Sequence, residues 1–319
     1  MIVKIEPEAN RRTQKSKRFI WMKHSDSFMK GLLMVPTLMS ASFVIFIVGF
    51  ISRKGIAPFL PSVYGSERVN AFSFLSGTTW FVPPNVYGIL FIVINTLYIV
   101  ALSTLISVPL SVASALFVTR ILPKKLQGVF KSIIELLAAI PSVIYGVFGL
   151  GIIAKSVVRL AELFHAQTAG GISTLTTIIV LAIMIYPTIT MMSVAAISAV
   201  DPALEHHSLA LGATKVQTMT KVTLASAKPG IFTGIILGVG RALGEATAVS
   251  MVAGNAGSGP SLMLFSTTRT LTSTMLLGLK ETSGMDYDIR FSVGLVLIGV
   301  IFVSNFILAH FKKKVGRFS

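Results

Sequence analysis

Long apolar runs, separated by short polar or charged stretches, set the pattern of this chain. Six of them reach the roughly 20 residues that a helix needs to cross the hydrocarbon core of a bilayer. They cover approximately residues 28–52, 87–118, 129–154, 172–199, 228–253 and 291–311. The second and fourth exceed that need, so tilt, kinking or extension beyond the bilayer is expected. Pro109, Pro141 and Pro187 fall inside runs and are expected to kink them, with neighbouring helices satisfying the freed carbonyls. The first run follows a polar, basic segment, is too long for a signal-peptide core and is followed by further spans, so it reads as an uncleaved first helix. The pattern predicts an all-α polytopic membrane protein with six transmembrane helices. Its parts are a basic segment at 1–27, the first helix and its loop at 28–86, a helical core at 87–311 and a basic tail at 312–319.

Composition strengthens the reading. The chain of 319 residues is 53% apolar and only 13% charged, with a mean hydropathy of +0.80, whereas a soluble domain carries about a quarter charged residues. A net charge of +16 raises nucleic acid as a partner. Nucleic-acid binders, however, cluster Lys and Arg on a folded face, and here the cations lie between apolar runs. Their placement instead sets topology. With the N-terminus inside, the inside segments hold 19 of the 28 Lys and Arg and the outside segments hold 8. Both termini are therefore expected in the cytoplasm, with 53–86 and 254–290 outside. The one remaining cation, Arg241, falls near the middle of the fifth run. The absence of cysteine removes disulfides, thiolate metal sites and cysteine nucleophiles.

Between the fourth and fifth runs lies a long inside loop, 200–227. Asp201 can cap a helix and Pro202 suits its first position, so a short cytoplasmic helix is expected at about 202–212, with Gly212 at its end. The outside loop 254–290, rich in Gly, Ser and Thr, is expected to hold a short re-entrant or interfacial helix.

Charge within a bilayer is costly and marks function by default. Three residues qualify: Glu135, Arg241 and Glu245. Arg241 and Glu245 are four apart and on one helix would share a face. An intramembrane guanidinium offers a planar fork of donors to an oxyanion; the competing reading is an ion pair that locks helix packing. Glu135, nearer the cytoplasmic end of its run, reads as a packing or gate partner. Gly230, Gly234 and Gly238 recur every four residues, a pattern of close helix packing. Gly238-Val239-Gly240 follows no strand, and the Gly-rich stretch from Gly254 to Gly259 lacks the Lys and Ser/Thr of a phosphate-cradling loop. Adjacent His206 and His207 cannot turn to one metal from a helix, and His24, His165 and His310 are isolated. Neither a metal site, a bound cofactor nor a nucleotide site is read from the sequence.

Three stretches carry a family resemblance. Glu135-Leu136-Leu137-Ala138-Ala139-Ile140-Pro141-Ser142-Val143-Ile144-Tyr145-Gly146 resembles a characteristic segment of the C-type permease of the bacterial high-affinity phosphate (Pst) importer. Gly240-Arg241-Ala242-Leu243-Gly244-Glu245, with Ala248-Val249 and Gly254-Asn255, resembles a second. A looser third runs from Trp80 through Pro84 to Tyr87-Gly88-Ile89-Leu90 and Asn95-Thr96. The resemblance implies a type I ABC-importer permease fold and inorganic phosphate as substrate. It also implies a sister permease, two copies of a cytoplasmic ATPase that supplies the hydrolysis, and an extracytoplasmic phosphate-binding protein. It places substrate-linked charges at Arg241 and Glu245 and a coupling helix at about 202–212. The family's coupling pattern is Glu-Ala-Ala, three residues, Gly, then nine residues and a hydrophobic-x-Leu-Pro. With Gly212 aligned, the Glu-Ala-Ala positions read His206-His207-Ser208, Glu205 comes one place early, and Val222-Thr223-Leu224-Ala225 lacks the proline. Other readings are a permease for another oxyanion, a secondary transporter, which needs a relay of intramembrane carboxylates, and a signalling membrane protein. Purification with or without an ATPase, and a labelled-phosphate transport assay, separate them.

Overall fold

The computed structural model describes residues 8–82 and 85–315, with side chains over 29–82 and 85–314. Pro83 and Pro84, the side chains of the basic N-terminal segment and the last four residues of the basic tail lie outside the described residues. The chain divides into two compact units, Met1–Arg53 and Lys54–Ser319.

The described part of the first unit is one helix, the body of α1 (Glu8–Ile56). Every described side chain from Met29 to Phe50 is exposed, including Phe43, Ile45 and Phe46. In water so long an apolar surface would drive association; with lipid as the solvent no burial is required of it.

The second unit contains five further helices long and apolar enough to span: Leu90–Ile121, Ser142–Leu163, Thr174–Ser198, Lys215–Gly244 and Met285–Lys314. Their regular parts are α2 (Leu90–Leu116), α4 (Ser142–Phe148) with α5 (Ala154–Leu163), α6 (Thr174–Ser198), α8 (Leu224–Gly244) and α11 (Met285–Val315). Between them lie α3 (Lys124–Ala139), α7 (Pro202–Ala210), α9 (Thr247–Val252) and α10 (Leu271–Leu276). Three π turns, at Phe117–Ile121, Gly149–Ile153 and Thr218–Thr223, interrupt the α geometry of three spans.

Helix α6 is the hub. Its apolar window is 61% buried, against 22% to 44% for the other spans of this unit. Ile185 and Ile189 pack with Val100 of α2 and Val239, Ala242 and Leu243 of α8. Its other side meets Tyr145, Ile153, Val157, Ala248 and Val252. Helix α8 comes close because Gly230, Gly234 and Gly238 lack side chains. A Cβ at these positions would stand 2.5, 2.8 and 2.7 Å from Ala196, Met192 and Ile189, so the repeat is a packing seam. Polar links join α2 to α6: Ser103 Oγ donates to the Ile178 carbonyl at 3.0 Å and Ser111 Oγ to that of Tyr186 at 3.1 Å. Hydroxyl bonds of this kind hold helices together where lipid offers no partner.

The spans depart from the predicted boundaries in physically readable places. The third begins at Ser142, because Ile140 (ψ 127°) and Pro141 (ψ 140°) are extended, as the residue before a proline prefers. Pro141 therefore separates two helices, whereas Pro109 and Pro187 stay inside continuous ones. The stretch before it becomes α3, which carries Lys124, Lys125, Lys131 and Glu135. The fifth span ends at Gly244 and the sixth begins at Met285. The predicted tail of the fifth run is a separate helix, α9, with Ala248, Val249 and Val252 buried. Helix α10 provides the short helix expected in the following loop. A hairpin of two-residue strands, β1 (Trp80–Phe81) and β2 (Val86–Tyr87), pairs antiparallel and docks on that same loop, with the Trp80 amide donating to the Gly257 carbonyl at 2.7 Å.

Candidate functional site

The residues singled out by sequence fall at two places. The first is the junction of α8 and α9. Arg241 lies in the last turn of α8, where a cation complements the helix dipole. It is half-buried, and its Nη1 donates to Thr188 Oγ1 at 3.0 Å, one residue beyond Pro187 in α6. No other side-chain hydrogen bond of this guanidinium occurs among the described residues, so most of its five donors are uncommitted. A Cβ at either neighbouring glycine, Gly240 or Gly244, would meet nothing within 4 Å, so the surroundings of Arg241 are open in this chain.

Glu245 does not share a helix with Arg241. The helix ends at Gly244, and Glu245 is extended (φ −75°, ψ 116°). Its Oε1 accepts the Ala248 amide at 3.0 Å, at the start of α9, and its carbonyl accepts Thr272 Oγ1 at 2.7 Å. Among the described residues the ion pairs are Lys54–Asp288 and Arg120–Glu205, so the carboxylate of Glu245 is more than 4 Å from the guanidinium. The expected shared face fails because a helix start needs an acceptor, and Glu245 supplies one. The expected position of Arg241 mid-run changes for the same reason. Glu135, expected in a span, is exposed on α3 without a side-chain partner among the described residues.

The second place is α7 and its flanks. Asp201 Oδ1 accepts the Ala203 amide at 2.9 Å, with Pro202 at the first helical position. The far end closes through Gly212, whose φ of +86° is open to glycine at no steric cost. The Ala213 amide then reaches back to the Ser208 carbonyl at 3.2 Å, a Schellman closure. Glu205 turns away from solvent. Its Oε1 accepts from Arg120 Nε at 2.7 Å, lies 2.7 Å from Arg120 Nη2 and accepts from Thr223 Oγ1 at 2.9 Å. Arg120 also donates to the Ile197 carbonyl at 2.9 Å, and Ser208 Oγ lies 2.9 Å from Thr218 Oγ1. Helix α7 is thus braced against the ends of two spans, and through Arg120 against a third. His206 and His207 are exposed, as are Leu204, Leu209, Leu211 and Val216.

Sequence reasoning missed Thr188, Arg120 and Thr223. Arg120 and Glu205 stand 85 positions apart, a separation at which a single sequence carries no pairing signal. The loop holds only two carboxylates, and Asp201 is taken up by the cap, which leaves Glu205 as the one hint.

Comparison with known proteins bears on the family and the fold. The family described as "Binding-protein-dependent transport system inner membrane component" matches residues 107–317. The "Probable ABC transporter permease protein YqgH" of Bacillus subtilis is 35% identical over 269 residues, covering 83% of this chain and 84% of its own. The "Phosphate transport system permease protein PstC" of Pasteurella multocida is 35% identical over 264 residues, covering 77% and 82%. Among solved structures, a chain of a bacterial alginate ABC transporter, in complex with a pentasaccharide-bound periplasmic protein, superposes with a TM-score of 0.62 at 16% identity. That match covers 92% of this chain and 97% of the other. A chain of the inward-facing MetNI methionine ABC transporter gives 0.53 at 18% identity over 70% and 94%. At these identities the structural likeness speaks for the fold alone.

Proposed function

Because the chain belongs to the binding-protein-dependent transport system inner membrane component family, a family of membrane permeases, we propose that it forms half of the translocation path of an ATP-driven phosphate importer. The substrate is supported by relatives named for phosphate transport and by the chemistry of Arg241. A guanidinium with most of its donors uncommitted, in an open part of a spanning helix, is the observation that carries the reading. Such a group binds tetrahedral oxyanions through charge-assisted bonds.

In this reading a sister permease supplies the other wall of the path, and an extracytoplasmic phosphate-binding protein delivers the anion to the loops 53–86 and 254–290. Both termini lie in the cytoplasm, as the Lys and Arg distribution implies. A separate ATPase subunit, present in two copies in the importer, docks on α7. The exposed Leu204, Leu209 and Leu211 with His206 and His207 give that subunit an apolar and polar surface. Closure of the ATPase pair moves α7, and the brace at Glu205 passes the motion to the spans in an alternating-access cycle. Arg241 receives the anion. Glu245 acts at one remove, fixing the start of α9 and therefore the wall beside Arg241. Glu135 serves at the cytoplasmic margin, as a gate or packing partner.

The test is phosphate uptake by the reconstituted importer. Arg241→Ala is expected to abolish uptake while insertion and complex assembly persist. Normal uptake by that variant overturns the assignment, and competition by sulfate equal to that by phosphate overturns the choice of anion.

A further inference from the structure

A pocket of about 430 Å³ lies apart from Arg241, where β1 meets the loops around α10. Trp80, Asn255, Arg269, Gly278 and Arg290 are among its walls. It holds two guanidinium groups and no paired carboxylate. Arg290 is 6% exposed. Its Nε donates to Thr282 Oγ1 at 3.3 Å, and its Nη1 donates to the carbonyls of Thr274, at 2.8 Å, and Leu277. Its Nη2 carries no hydrogen bond among the described residues, and it fits only because Gly278 (φ +72°) has no side chain. A Cβ there would come within 2.7 Å of it.

Arg269 is committed still less. Its Nη2 donates to the Asn255 carbonyl at 2.9 Å, while its buried Nε has no partner and its Nη1 makes no bond among the described residues. Asn255 Nδ2 donates to the Ser250 carbonyl at 3.0 Å, which leaves Asn255 Oδ1 buried without a partner. Burial first, and the Arg290 charge second, pull the Arg269 guanidinium down to about 10, so it stays cationic at neutral pH. Asp286 and Glu281 act on Arg290 from beyond ion-pair distance, and Asp286 is itself engaged by the Tyr87 hydroxyl.

Two neighbouring cations, one buried and one half-buried, with no carboxylate within ion-pair distance among the described residues are an expensive arrangement. It becomes favourable when an anion enters, since each guanidinium presents free donors in a plane. At about 30 Å³ per water, the pocket has room for a small oxyanion and several waters. We infer that this pocket is a second anion site, which takes a tetrahedral oxyanion such as inorganic phosphate on the outer side before it reaches Arg241. The inference rests on the reading of the chain as an anion permease with these loops outside. Capture happens in two stages: the outer pair concentrates the anion, and Arg241 accepts it once the path opens.

Trp80 lines the pocket and reports on it. In the full chain, Trp21→Phe leaves Trp80 as the single tryptophan. Inorganic phosphate titrated into that chain in nanodiscs is expected to change Trp80 emission saturably, and labelled-phosphate equilibrium binding in the same discs is expected to follow the same curve. Arg269→Gln should weaken both by about tenfold or more; Arg269→Lys, which keeps the charge and loses the fork, should fall between. Arg241→Ala should leave the Trp80 response within about twofold, as expected of a separate site. In the assembled importer, Arg269→Gln should raise the phosphate concentration for half-maximal uptake with a smaller effect on the maximal rate. Absence of a saturable phosphate response in both measurements, equal binding by Arg269→Gln, or loss of the Trp80 response in Arg241→Ala overturns the site. Normal uptake by Arg241→Ala would sink the transport assignment yet leave the pocket's binding intact, so the two failures are distinguishable.

Discussion

Replacement of Glu205 by Ala removes the centre of the brace that holds α7. Its Oε1 collects Arg120 Nε and Nη2, each at 2.7 Å, and Thr223 Oγ1 at 2.9 Å. The pair is neither surface nor core, with side-chain exposures of 19% for Arg120 and 23% for Glu205. Exposed pairs are worth about 0.2–1 kcal/mol and breaking a fully buried one costs about 3–5 kcal/mol. A value near 2 kcal/mol therefore fits the pair, and the Thr223 bond adds about 1 kcal/mol. Arg120 keeps its bond to the Ile197 carbonyl, so the end of α6 stays tethered and the loss is confined to α7. A local opening equilibrium shifted by about 2–3 kcal/mol is a change of about 30- to 150-fold at 1.4 kcal/mol per decade. Hydrogen exchange read by mass spectrometry on peptides covering 202–217 should accelerate by that order, while peptides from α2 and α6 keep their protection. Uptake should fall with ATPase activity partly retained, since the docked subunit would push on a loosened lever. Unchanged exchange in the α7 peptides would refute the brace, whatever happens to transport.

Gly230→Val places a branched side chain where even a Cβ would stand 2.5 Å from that of Ala196. It is expected to part α8 from α6 and lower the yield of folded chain in detergent; a wild-type elution profile and melting temperature would refute the packing seam. At Gly212 a Cβ would meet nothing within 4 Å but would sit at φ +86°, so a side chain costs conformational strain of about 1–2 kcal/mol without a clash. Gly212→Asp adds charge to that strain and should reduce both ATPase co-purification and coupled uptake; unchanged values of both would remove α7 from the coupling role.

The six spans were legible because lipid imposes a length and a composition, and both are properties of contiguous sequence. Charge counting could isolate Arg241 for the same reason. The errors lie where the chain leaves straight helices. A hydropathy run reads through Ile140-Pro141 and through Glu245-Ala246, since neither break interrupts apolarity strongly, yet both interrupt the backbone. The pairing of Arg241 with Glu245 was a helical-spacing inference and failed with the helix. The glycine repeat was readable because small residues at every fourth position have one common use. The Arg120–Glu205 brace, the Thr188 contact and the gathering of Arg269 with Arg290 depend on tertiary pairings that no local pattern encodes. Gly212 was readable, because a helix end that needs a left-handed residue selects glycine.

The two π turns that flank α7 give the brace a mechanical meaning. Arg120 lies within Phe117–Ile121 and Thr223 within Thr218–Thr223, so the single oxygen of Glu205 clasps both. A π turn stores one residue more than the α turn it replaces. Releasing it advances the remaining helix by about 1.5 Å and rotates it by about 100°. Each of these two spans thus carries a notch of spare length at its α7 end, and in the proposed coupling role Glu205 would be the pawl that engages both notches. Motion of α7 would be delivered to the membrane in helical steps shared by two spans.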